Sequence, residues 1–98
     1  MPTFVCLFNW TDQGIKNVRD TTKRAERFRA AIKKAGGTVV GIFWTLGRYD
    51  GLIVFEAPDE ASATAIMLSG GALGSVRTET LRAFNADEMD KILAKMRS

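Results

Sequence analysis

Side chains able to bind a small molecule occur in three short segments of this chain. They are Asn9, Trp10, Asp12, Arg48, Tyr49, Asp50, Arg77 and Thr78. A guanidinium group matches a carboxylate or phosphate with paired hydrogen bonds, and aromatic rings can cover an apolar body. These residue types therefore predict binding of a small anionic or amphipathic molecule, provided that the fold brings the three segments together.

The composition limits the chemistry open to these residues. The 98 residues include no histidine, which removes the usual proton shuttle near neutral pH and the commonest metal ligand. Cys6 is the one cysteine, so an internal disulfide or a multi-cysteine zinc site is excluded. Acid–base catalysis would need a shifted pKa at one of the groups Asp12, Asp50, Glu79 and Tyr49. We expect no metal and no cofactor, and we place binding ahead of catalysis.

The hydrophobic pattern predicts which elements position these residues. Alternating or continuous apolar residues indicate β-strands at 3–10, 38–46, 52–56 and 76–84. On the second strand, Val40, Ile42 and Trp44 are expected to share one face. A basic amphipathic helix is expected before this strand. A short turn precedes the helix, and Gly36-Gly37 end the helix.

Two further helices complete the pattern. The first begins near Pro58, with Ala61, Ala65 and Leu68 expected on its inward face and an end at Gly70-Gly71. The second is a closing amphipathic helix, for which Asn85 and Glu88 predict a capping box.

The resulting order is β-α-β-β-α-β followed by a terminal helix, which is the ferredoxin-like pattern of an α+β protein. The length allows one domain, spanning residues 1–98. In this topology the antiparallel strands follow the order 4-1-3-2. The end of strand one then meets the starts of strands three and four, so the three polar segments converge at one end of the sheet.

Both helices of this pattern cross the same face of the sheet, which leaves the other face open. Strands one and three are apolar on both sides, as in sheets that are covered on both faces. Such an apolar face is larger than a soluble monomer usually exposes. We therefore expect a homo-oligomer, with a second copy packed against the sheet in a two-fold dimer.

Three segments resemble the motifs of the GYD domain family. They are Asn9-Trp10-Thr11-Asp12-Gln13-Gly14, Trp44-Thr45-Leu46-Gly47-Arg48-Tyr49-Asp50 and Val76-Arg77-Thr78-Glu79-Thr80-Leu81-Arg82-Ala83-Phe84. The residues that give the family its name are here Gly47, Tyr49 and Asp50. The resemblance implies a ferredoxin-like fold of the dimeric α/β-barrel type, and it implies no particular reaction.

Two other functions remain open at this point. A cofactor-independent enzyme, oxygenase-like or isomerase-like by analogy with related barrels, would use aspartate or tyrosine at the same cleft. A structural or nucleic-acid-associated subunit would use the basic first helix, but that helix lacks exposed aromatic residues for base stacking, so nucleic acid is disfavoured. Without a secretory signal or a run of about 20 apolar residues, we expect a cytoplasmic protein with no membrane contact.

Overall fold

A computed structural model describes residues 1–97 of the chain. The strands are β1 (Thr3–Trp10), β2 (Thr38–Trp44), β3 (Gly51–Glu56) and β4 (Val76–Ala83). The helices are α1 (Asp12–Lys16), α2 (Thr21–Lys34), α3 (Glu60–Ala72) and α4 (Ala86–Ala94), with a 3-10 turn at Val18–Asp20 between α1 and α2. The elements form an α+β structure in the expected order along the chain.

The four strands form one antiparallel sheet in the order β2-β3-β1-β4. This is the order 4-1-3-2 when it is followed from the opposite edge. In the register of β1 with its neighbours, Phe8 lies opposite Gly51 on β3 and Thr78 on β4. The end of β1 therefore lies beside the starts of β3 and β4, and the three polar segments meet at one end of the sheet.

The core lies between one face of the sheet and the helices. Phe4, Cys6 and Phe8 of β1 are buried there, and Phe4 stacks on Phe55 of β3 with ring centroids 5.5 Å apart. Ile32 of α2 is fully buried against this face. The alternation in β1 thus places its larger apolar side chains under the helices, as period-two patterning requires.

The inward face of α3 differs from the sequence prediction. Its buried residues are Ala63, Ile66 and Met67, whereas Ala61, Ala65 and Leu68 are exposed. The helix also continues through Gly70 and Gly71 to Ala72, and the positive φ falls at Gly74 instead. The prediction was wrong because α3 is apolar on most sides, so the periodicity of its small residues did not identify the packed face.

We call the sheet face opposite the helices the open face. Apolar residues from all four strands lie on it, and they are Val5, Leu7, Val40, Phe43, Leu52, Val54 and Leu81. Val40, Phe43 and Leu81 are 64%, 58% and 46% exposed. The apolar second face that the sequence predicted is therefore present and uncovered in the single chain.

Val40 lies on the open face because β2 contains a β-bulge. The register with β3 shifts between Val39 and Gly41, so Val39 and Ile42 both pack against the core. The extra residue inverts the alternation on one side of the bulge. The expectation that Val40 shares a face with Ile42 was wrong for this reason.

The last helix, α4, extends from the sheet edge. Asn85 and Glu88 form the expected capping box, and Arg82 of β4 holds Glu88 through an ion pair of 3.1 Å. Beyond this first turn, α4 makes only marginal contact with the rest of the described chain. Met89, Ile92 and Leu93 form an exposed apolar stripe on α4. Met96, which the sequence pattern placed on the same stripe, follows the end of the helix and is also exposed.

Candidate functional site

Most of the expected site residues lie at one end of the open face, and we call this group the sheet-end cluster. It consists of Asn9, Arg48, Tyr49, Asp50, Arg77 and Glu79. Asn9 lies directly opposite Arg77 in the pairing of β1 with β4. The phenol of Tyr49 reaches across β1 and donates a hydrogen bond of 2.8 Å to the Glu79 carboxylate. The hairpin turn and the edge strand are therefore connected over the end of β1.

Asp50 has a structural role within this cluster. Its carboxylate accepts the backbone N–H of Trp10 at 2.9 Å, and its own N–H donates to the backbone oxygen of Phe8 and the side-chain oxygen of Asn9. These bonds fix the end of β1 to the turn before β3. One carboxylate oxygen is thus occupied by the backbone, which reduces the availability of Asp50 as a catalytic base.

Thr45 shapes the turn that carries Arg48 and Tyr49. Its hydroxyl donates to the Tyr49 backbone oxygen at 2.6 Å, and its backbone N–H donates to the Asp50 backbone oxygen at 2.9 Å. Gly47 has a φ of 106°, in the left-handed region that favours glycine. The turn thus presents the Tyr49 ring toward β4, and the Arg48 guanidinium lies 5.6 Å from that ring's centre.

Two positive charges in the cluster lack an acidic partner. Across residues 1–97 the ion pairs are Arg29–Glu26 and Arg82–Glu88, so Arg48 and Arg77 belong to neither. Glu79, the carboxylate on the same face of β4, instead accepts the Tyr49 hydroxyl. A guanidinium without a carboxylate partner can bind an anion through paired hydrogen bonds.

The hydrogen bond to Glu79 raises the pKa of the Tyr49 phenol above its ordinary value, and the nearby positive charge of Arg48 opposes this effect. Because the bond needs the phenol proton, Tyr49 remains protonated through the neutral range. Tyr49 therefore acts here as a hydrogen-bond donor, and a role as a general base at neutral pH is disfavoured.

Three expected site residues lie outside the cluster. The Trp10 ring faces the helices and packs edge-on against Phe8, and its indole Nε1 is buried without a hydrogen-bond partner within residues 1–97. Asp12 is an exposed residue in the first turn of α1, where a carboxylate suits the helix N-terminus. Thr78 lies on the helix side of β4, opposite Phe8. The structure therefore divides the sequence-predicted site between two faces of the sheet.

A cavity of ≈ 730 Å³ lies on the helix side of the sheet, between α2, α3 and the strands. We call it the helix–sheet cavity. Among the site residues expected from the sequence, Thr78 lines this cavity. Arg77 and Thr78 also border an open groove of ≈ 850 Å³ between α3 and β4. No sequence pattern predicted the helix–sheet cavity, although the small residues of α2 and α3, among them Ala25, Ser62 and Gly70, leave space between the helices.

Sequence reasoning missed two features of these sites. Glu79 was considered as an acid–base group but was not assigned to the site, and its hydrogen bond with Tyr49 depends on the turn geometry. The basic residues of α2 were considered only for nucleic-acid binding and were not assigned to a small-molecule site, yet Arg24, Arg27 and Lys34 border the helix–sheet cavity. Their helical spacing of three and seven residues was the available signal.

The described part of the chain offers neither a metal-ligand cluster nor a membrane-spanning helix. Acidic and thiol side chains of residues 1–97 do not gather in groups of three suited to a metal ion. Within the same residues, no helix has both the length and the apolar character needed to cross a membrane.

Comparison with known proteins identifies the family. The model of the GYD domain matches residues 4–93, nearly the whole chain. This chain belongs to the GYD domain family, as the three motifs predicted.

One relative and one solved structure extend this comparison, both from Thermus thermophilus. The chain is 36% identical over 84 residues to a protein named glutamine synthetase and cystathionine beta-lyase binding protein, covering 85% of this chain and 88% of that protein. The crystal structure of TTHA0845 superimposes with a TM-score of 0.57 at 25% identity, covering 88% of this chain and 96% of that chain.

Proposed function

We propose that this chain is a homodimeric binding protein whose sheet-end cluster holds a small anionic molecule. The observation that supports this function best is that two guanidinium groups of the cluster have no carboxylate partner within residues 1–97: Arg77, opposite Asn9, and Arg48, beside the Tyr49 ring. These groups provide several hydrogen-bond donors for a carboxylate or phosphate at one end of the sheet.

Homodimer formation is supported by the apolar open face. Leu7, Leu52 and Phe43 lie on adjacent strands of this face and would be contiguous apolar surface in water. Burial of such surface stabilises an assembly by roughly 25 cal/mol for each Å² removed from water. A second copy packed sheet to sheet would give the ferredoxin-like, dimeric α/β-barrel arrangement that the sequence predicts, and it would enclose the sheet-end cluster.

Binding is favoured over cofactor-independent catalysis by the state of the acidic groups. The Asp50 carboxylate accepts the Trp10 backbone N–H, and the Tyr49 hydroxyl donates a hydrogen bond to Glu79. Asp12 lies apart from both on α1. An enzyme would need one of these groups free to exchange a proton with a substrate, and a supporting group within hydrogen-bond distance.

A protein partner is a second candidate function, and the relative's name favours it. That relative is named for binding glutamine synthetase and cystathionine beta-lyase. The stripe of α4 is suited to such a role, because apolar residues at i, i+3 and i+4 share one side of the helix and can enter a hydrophobic groove. A nine-residue helix is marginal without packing partners, so docking would also stabilise α4.

The anion site is tested by thermal melting in phosphate, citrate or chloride at equal ionic strength. Binding to the native state alone raises the melting temperature. We expect phosphate or citrate to stabilise the wild type and the exposed control Arg19→Gln, but to have a much smaller effect on Arg77→Gln. Equal stabilisation of all three proteins would overturn the proposed site.

The partner function is tested with purified glutamine synthetase and cystathionine beta-lyase from the same genome. Immobilised wild-type chain should retain at least one of the two enzymes. The variant Ile92→Asp should lose this binding, while Lys91→Asp, a matched change outside the apolar stripe, should keep it. Failure of the wild type to retain either enzyme would reject this candidate.

A further inference from the structure

The helix–sheet cavity combines apolar walls with a basic rim. Its volume of ≈ 730 Å³ is within the range of roughly 300–1,000 Å³ that is typical of small-molecule sites. We propose that this cavity holds the apolar chain or ring of an amphipathic anion, and that the basic rim on α2 binds its anionic head. This site goes beyond the proposed function, because it lies across the sheet from the sheet-end cluster.

The walls of the cavity are suited to an apolar body. The sheet contributes Phe8, Ile42 and Ile53, and α3 contributes Ile66 and Met67. Phe8, Ile53, Ile66 and Met67 also belong to the buried core, so the cavity is continuous with it. A strongly polar body would lose its hydration here with few groups to replace water, which is costly.

The rim of the cavity is complementary to an anionic head. Arg24, Arg27 and Lys34 border it, and no aspartate or glutamate occurs among its described lining residues. The Arg24 guanidinium is oriented by hydrogen bonds of 3.0 and 3.4 Å to the backbone oxygens of Asn17 and Gly14. Three cations without a lining carboxylate attract an anion and disfavour a cation of the same size.

The rim residues belong to one side of α2. Positions 24, 27 and 34 differ by three and seven residues, which places them on the same side of the helix as Phe28 and Ala31. Phe28 approaches Gly70 of α3, where a Cβ atom would lie 3.1 Å from the ring. Phe28 and Gly70 both line the cavity, so this close approach joins the two helices at its wall.

Isothermal titration calorimetry with octanoate, decanoate and dodecanoate tests the apolar part of the proposal. Each added methylene should improve affinity by roughly fourfold if it enters the cavity. Methyl decanoate, which lacks the charge, should bind more weakly than decanoate. Affinity that is independent of chain length, or no binding of any of the three acids, would overturn the proposal.

The charged part is tested with a double variant and a matched control. Arg27→Gln/Lys34→Gln should weaken decanoate binding by about three- to tenfold, the combined effect of two exposed charges, and should leave methyl decanoate unchanged. Lys23→Gln/Lys33→Gln removes the same charge from α2 outside the cavity and should bind decanoate as the wild type does. Equal losses in both double variants would show a general charge effect and reject the assigned rim.

The position of the ligand is tested by filling the cavity. Ala65 is solvent-exposed but lines the cavity, so Ala65→Phe should abolish decanoate binding, whereas Ala61→Phe, at an exposed position outside the lining, should not. Unchanged affinity in a folded Ala65→Phe protein would contradict the assigned position; if that variant does not fold, the charge variants decide. Arg77→Gln should retain decanoate binding, so loss of the sheet-end anion site is distinguishable from loss of this one.

Discussion

Tyr49, on the turn before β3, and Glu79, on the edge strand β4, are joined by a 2.8 Å hydrogen bond that crosses β1. The tyrosine of the family's naming motif therefore connects elements that are two strands apart. Glu79 accepts this bond and forms no ion pair with Arg77 or Arg48 within residues 1–97, so both guanidinium groups are able to bind an anion. The turn thus determines the charge pattern at this end of the open face.

Absorbance titration can measure this bond directly, because Tyr49 is the only tyrosine in the sequence. We expect its pKa to lie above the ordinary value, chiefly through the hydrogen bond to Glu79. Glu79→Gln should lower the pKa toward the ordinary value, and Arg48→Gln should raise it further by removing a nearby positive charge. An ordinary pKa in the wild type would show that the bond is absent in solution.

The same bond predicts a direction for stability against pH. The folded pKa of Tyr49 is higher than the unfolded one, so the contribution to stability is present at neutral pH and is lost as pH rises through the folded pKa. Urea denaturation of the wild type and Tyr49→Phe, carried out across the alkaline range, should show a larger loss of stability in the wild type, so the difference between the two free energies of unfolding should shrink as pH rises. A difference that stays constant would contradict the role of the Tyr49 proton.

Burial governs the chemistry of Cys6. Loss of hydration raises the pKa of this thiol from 9.0 to about 11. The native state retains the proton to higher pH than the unfolded state, so stability should fall between these two values, by on the order of 3 kcal/mol in total. The measurement is the difference between wild type and Cys6→Ala in free energy of unfolding. A difference that does not change with pH would contradict the assigned burial.

Gly14 permits the close approach of α1 to the loop before β4. A Cβ atom at this position would collide with the backbone oxygen of Ser75, which also accepts the Thr11 N–H at 3.1 Å. Gly14→Ala should therefore destabilise the protein by about 1–3 kcal/mol in chemical denaturation. Gly71→Ala is the matched control: its Cβ meets no atom within 4 Å, so a helical alanine should stabilise by about 0.5–1 kcal/mol. Equal effects of the two changes on the free energy of unfolding would contradict the close approach of Gly14 to Ser75.

The element order and several helix ends were predictable from local signals. The alternation along β1 placed Phe4, Cys6 and Phe8 on one side of the strand, and the structure shows that this side is the buried one. Thr11 caps α1 through its side chain, and Asn85 with Glu88 forms the capping box. These features depend on residues close in sequence, whose periodicity and hydrogen-bonding chemistry are visible without tertiary contacts.

Features that depend on tertiary packing were harder to predict from the sequence. The bulge that turns Val40 outward needs the register of β2 against β3. The strand topology correctly placed Asn9 beside Arg77 and near Tyr49. Thr78 was grouped with them, but its side chain lies on the opposite face of the sheet. The helix–sheet cavity depends on how α2 and α3 are spaced over the sheet, which small residues permit but do not determine.

The central claim is that the open face binds a second copy of the chain, and a light-scattering mass at micromolar concentration tests it most directly. The account predicts twice the mass of one 10.8 kDa chain for the wild type. Phe43→Asp, which places a charge on the open face, should give the mass of one chain, whereas Arg19→Asp, away from the sheet, should remain a dimer. A wild type with the mass of a single chain would contradict the account.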